Sequence, residues 1–72
     1  MSAESLVKMA NQIAQFFANE TDTAEAVRSV RQHLQSFWTP AMRQELSVWQ
    51  HQHQGDVLHP LVQAALSESA SS

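Results

Sequence analysis

A chain of 72 residues with a net charge of −3, four basic side chains and no cysteine can build one small core but neither a thiolate site nor a basic surface. Chains this short bury only about 60% of the surface their unfolded form exposes, so a partner often supplies what the core cannot. Lys8, Arg28, Arg31 and Arg43 are too few to neutralise a run of phosphates, which excludes nucleic acid as a partner. No apolar run approaches the roughly 20 residues of a membrane span. Met1-Ser2-Ala3-Glu4 does not read as a signal peptide, so a cytoplasmic protein is expected.

One glycine and two prolines among abundant Ala, Leu, Gln and Glu predict an all-α fold, a small bundle of three helices plus a short C-terminal fourth. The first helix is expected over about 5–18. Leu6, Met9, Ile13 and Phe16 recur at helical spacing, and Val7, Ala10, Ala14 and Phe17 form an adjoining stripe. Either both stripes wrap one core, or the second is covered by another chain. Asn19 to Asp22 ends this helix, and Asp22 then caps the next, with Glu25 placed to complete a capping box. That second helix, over about 23–36, presents Val27, Val30, Leu34 and Phe37 inward, with Ala26 and His33 beside them. Arg28, Arg31, Gln32 and Gln35 take its wet side.

Thr39 as N-cap and Pro40 as first helical residue start a third helix, running to about residue 52, with Met42, Leu46 and Trp49 on one stripe. His51 to Asp56 breaks the periodicity, and Gly55 is a turn or helix stop. A last helix over about 60–66 holds Leu61, Val62, Ala65 and Leu66. The helical domain is therefore expected over 1–66, with 67–72 a polar tail that has nothing to bury.

Catalysis has little to stand on. Glu20, Asp22, Glu25 and Glu45 fall at helix ends or outer faces, no base is placed beside a Ser or Thr, and the lone Gly55 cannot cradle a phosphate. No catalytic, cofactor-binding or metal-binding residue is assigned. His51 and His53 would point opposite ways on a helix; only an extended turn would let them converge with His59 and Asp56. A solvated connector is the simpler reading.

A docking surface fits better, because aromatic, Met and Arg side chains are enriched at interface cores. Phe37 and Trp38 are adjacent at a helix corner, where at most one can point fully inward. Phe37 continues the inner stripe, which leaves Trp38 for contact, beside Met42 and Arg43. His33 is either a half-buried imidazole bonded to a carbonyl or carboxylate, or a partner contact. The expected partner-binding set is His33, Phe37, Trp38, Met42 and Arg43. On this reading Phe37→Ala unfolds the domain, Trp38→Ala and Arg43→Ala spare it, and the isolated chain exposes Trp38 or the Val7, Ala10, Ala14, Phe17 stripe.

Three blocks stand in order: Leu6-Val7-Lys8-Met9-Ala10-Asn11-Gln12-Ile13-Ala14 with Phe16-Phe17; His33-Leu34 leading into Phe37-Trp38-Thr39-Pro40-Ala41-Met42-Arg43-Gln44-Glu45-Leu46; and Leu58 through Pro60 to Val62. In these the chain resembles the delta subunit of cytoplasmic, molybdenum-containing, NAD-dependent formate dehydrogenases, over nearly its whole length outside the termini. It departs from that pattern at Thr39, where Asp is usual, at Ala41, where a basic residue is usual, and at His59, where a Ser cap is usual. The resemblance implies a non-catalytic accessory subunit that supports assembly, cofactor loading or stability. Its partner would be the large subunit, which holds a molybdenum bis-pterin cofactor and iron–sulfur clusters, in a complex that passes electrons through FMN to NAD. No cofactor would be bound by this chain, and in isolation it would form at most a weak homo-oligomer. Two competing readings are a stand-alone homodimeric helical adaptor and a small metal-handling protein.

Overall fold

Every helix among the described residues begins on a side chain that accepts an amide left without an intrahelical partner. In the computed structural model, which describes residues 2–53 and 57–70 and only the backbone of 68–70, these are α1 Ala3–Phe17, α2 Thr23–Phe37, α3 Pro40–Gln52 and α4 Pro60–Ala70. No strand occurs among the described residues. Ser2 Oγ accepts from the Ser5 amide at 3.2 Å, so α1 starts at Ala3 rather than near Ser5. Asp22 accepts from the Ala24 amide at 3.0 Å, and Thr39 Oγ1 from the Met42 amide at 3.2 Å, with Pro40 opening α3. His59 takes over the work of the missing Ser cap: its Nδ1 accepts from the Leu61 amide at 3.1 Å.

Two local expectations fail. The capping box at Asp22 does not close, because Glu25 pairs with Arg28 and the Asp22 amide instead donates to Glu20 at 3.5 Å. Both partners of the Glu25–Arg28 pair are at least half exposed, so water screens it and it contributes little. In addition, α4 does not stop near Leu66, where its apolar stripe ends, but runs on to Ala70. The turn or helix stop expected at Gly55 lies outside the described residues.

The core is one cluster drawn from all four helices. Leu6, Ala10 and Ala14 of α1, Val30 of α2, Leu46 of α3 and Val62 of α4 are completely covered. Met42 and Trp49 pack partly buried against this cluster, as the α3 stripe predicts. Contact is most extensive between α2 and α4. The radius of gyration is 11.1 Å, the ~11 Å expected of a compact chain of this length.

Two joints hold the helices in place. At the α2–α3 corner the backbone leaves the helix at Trp38 (φ −100°, ψ 144°), and Arg43 reaches back to donate to the carbonyls of Trp38 (3.0 Å), Leu34 (3.3 Å) and Gln35 (3.3 Å). These carbonyls sit at the end of α2, where a cation also meets the negative end of the helix dipole. Before α4, Asn11 clamps the connector: its amide group donates to the Val57 carbonyl and accepts from the His59 amide, both at 2.9 Å.

Candidate functional site

The wide apolar sector of α1 is only partly used by the core, and what is left over shapes the site. Leu6, Val7, Ala10 and Ala14 face inward, whereas Met9 and Ile13 are half-buried and Phe16 is 75% exposed. The stripe expected to meet another chain, Val7-Ala10-Ala14-Phe17, is therefore the buried one but for the half-buried Phe17, and Met9-Ile13-Phe16 lies outside. These three, at i, i+4 and i+7, form one wall of an open groove of about 640 Å³. His33 and Phe37, at i and i+4 on α2, form the facing wall, with Phe17, Trp38 and Met42 completing the lining.

Aromatic rings run across this face from α1 to α2. Phe16 and Phe17 meet edge to face at 5.1 Å and Phe17 and His33 edge to face at 6.3 Å, while His33 and Phe37 are tilted against each other at 4.7 Å. Edge-on pairs of this kind gain energy beyond area burial and hold the rings in place. His33 is half-buried and, among the described residues, makes ring contacts but no hydrogen bond. The expected bond to a carbonyl or carboxylate is absent, so its ring nitrogens remain available to an occupant. Besides His33, Gln12 is the polar residue of the lining, and no Lys, Arg, Asp or Glu takes part.

The structure thus brings His33, Phe37, Trp38 and Met42 to one groove and leaves Arg43 out of it. It also exchanges the roles of the adjacent aromatics. Trp38 is 5% exposed and belongs to the core, while Phe37, expected inward, is 74% exposed. The cause is the break in the helix: Trp38 sits in extended backbone that swings its ring under the corner, while Phe37 ends α2 where no element covers it. Arg43 is half-buried and engaged with three carbonyls, so its first role is to close that corner. Sequence reasoning missed Phe16, Met9 and Ile13 as groove residues. Phe16-Phe17 is a second adjacent aromatic pair, and the logic applied to Phe37-Trp38 would have marked one of the two as exposed.

The remaining candidates do not assemble. His51 and His53 are exposed, and His53 stacks on Trp49 with ring centroids 4.4 Å apart. Asp56 lies outside the described residues, and among those described no three His, Asp or Glu side chains come together. No described helix is long and apolar enough to cross a membrane.

No curated protein and no solved structure matches the chain at a significant level. The family model described as NADH-dependent formate dehydrogenase delta subunit, FdsD, matches residues 5–66, which takes in most of α1, all of α2 and α3, and the apolar part of α4. With the match covering most of its length, the chain belongs to the formate dehydrogenase delta subunit family, FdsD.

Proposed function

We propose that this protein is a non-catalytic accessory subunit that docks through the Phe16–Phe37 groove onto the large, molybdenum-bearing subunit of an NAD-dependent formate dehydrogenase, and that docking supports assembly, cofactor loading or stability of that complex. The observation that carries this reading is a ready-made apolar groove, flanked by two exposed phenylalanines, on a chain of the delta subunit family. Exposed apolar patches rimmed by polar residues mark interaction sites. Aromatic and Met side chains are the usual anchors there.

The chain's own residues do not suit the redox groups of such an enzyme. It has no cysteine to ligate an iron–sulfur cluster, and its one glycine cannot form a phosphate-cradling loop for FMN, NAD or a pterin. The cofactors belong, on this reading, to the partner subunits, and the chain acts in the cytoplasm with them.

The test replaces Phe16→Ala and Phe37→Ala together in cells that produce the complex. Both side chains stand largely outside the core, so the variant should stay folded and present. Formate oxidation and the molybdenum content of the purified large subunit should both fall, since losing two anchors of about 2 kcal/mol each weakens binding by a factor of several hundred or more. Normal activity with full molybdenum loading would overturn the proposal. So would an unmodified purified chain that pairs tightly with its own copy and ignores the enzyme.

A further inference from the structure

Resting on that reading, we infer that the groove is filled by a single amphipathic helix of the partner, about two turns of it, inserting large uncharged side chains between α1 and α2. Three features of the groove select this occupant.

First, both walls are helices. Their ridges, Met9-Ile13-Phe16 and His33-Phe37, repeat every three or four residues and accept the ridges of another helix, not the edge of a strand. The backbone of these walls is already bonded within α1 and α2, which leaves no open edge for an extended segment to pair with.

Second, the dimensions are those of two turns. Met9 to Phe16 spans about 10 Å of helix at 1.5 Å per residue, room for anchors at i, i+3 or i+4, and i+7. The lining carries no Lys, Arg, Asp or Glu, so the inserted face is apolar and uncharged. Gln12 and His33 ask for one or two hydrogen-bonding groups at its margin.

Third, the area is too small for a pair of identical chains. Phe16 and Phe37 are about three-quarters exposed, 75% and 74%, and the other apolar lining residues are already half-buried or more. Aromatic side chains bury roughly 150–250 Å² each, so these two offer about 300 Å² together. A standard interface takes about 800 Å² from each partner. Two copies apposed through this face alone fall well short of that, whereas a larger partner that seats a helix here can add contacts outside the groove.

The test is photocrosslinking in the assembled formate dehydrogenase complex. Phe16→p-benzoylphenylalanine, Phe37→p-benzoylphenylalanine and Gln12→p-benzoylphenylalanine are each introduced at exposed positions around the groove, with Gln44→p-benzoylphenylalanine on α3 as an exposed position outside it. The expected result is that the first three mark one continuous stretch of about 15 residues or fewer in the large subunit, at positions three or four apart, and that the fourth marks elsewhere. Crosslinks that land in the large subunit but on stretches distant in its sequence, or at alternating or proline-rich positions, would overturn the helical occupant and leave the docking proposal standing. Crosslinks to a second copy of this chain alone, or to no formate dehydrogenase subunit, would overturn both.

Discussion

The closed side of the bundle, where α2 lies along α4, and the open side, where the C-terminal ends of α1 and α2 leave a groove, are built from the same kinds of residue to opposite effect. On the closed side Val30 and Val62 are fully covered. On the open side Phe16 and Phe37 keep about three-quarters of their surface in water. A single exposed phenylalanine needs no explanation. Two that flank one groove, joined by Phe17 and His33, form a patch. The difference teaches that the apolar arcs of α1 and α2 are wider than four short helices can cover. Phe37 and Trp38 straddle the boundary: consecutive in the chain, one faces the groove and the other the core.

The strongest way to break this comparison is at Trp38. Trp38→Ala should cost about 3–5 kcal/mol through lost burial and the cavity left behind, comparable to the ~5 kcal/mol total stability of a marginal small domain. Loss of the cooperative thermal transition in far-UV circular dichroism is the expected outcome. A variant that melts like the parent would mean that Trp38 lies outside the core.

A middle effect is expected at the corner itself. Arg43→Ala removes three charge-assisted bonds from a half-buried guanidinium and should lower stability by about 1–2 kcal/mol, read from the urea midpoint. Arg43→Lys should recover only part of this: all three bonds come from one guanidinium nitrogen, Nη1, and the shorter lysine side chain ends one bond short of that position. Full recovery by Lys would show that charge at the end of α2, not the reach of the guanidinium, holds the joint.

The smallest effect on the fold sharpens the contrast. Phe37→Ala should change stability by no more than about 0.5 kcal/mol, as surface substitutions do, so its melting curve should overlay the parent's. This reverses the expectation from helical periodicity, under which Phe37 carries the fold and Trp38 does not. A large loss at Phe37 with none at Trp38 would restore that first reading.

Much of this architecture is legible in the residues. Asp22, Thr39 and Pro40 mark the starts of α2 and α3 because a cap is a local interaction, complete within three residues of chain. The Met42-Leu46-Trp49 stripe likewise places α3 correctly. The cap at Ser2 was equally local and could have been read from its oxygen three residues ahead of the Ser5 amide. His59 could not, since imidazole is not among the usual caps and its place is set partly by Asn11, far away in the chain. The candidate site was legible in composition but not in arrangement: four of its five expected residues line the groove, yet the buried and exposed members of both aromatic pairs had to be settled by packing.

By itself, then, the sequence determined an all-helical chain, two of its cap positions and its kinship with formate dehydrogenase delta subunits, because periodicity, capping and ordered motifs are properties of neighbouring residues. Only the tertiary structure decided which apolar stripe of α1 is core, which ring at the α2–α3 corner is buried, and that Arg43 serves the fold. Those outcomes depend on where other helices lie against each face, and on a backbone that leaves the helix at Trp38, which periodicity extended past the helix end cannot register.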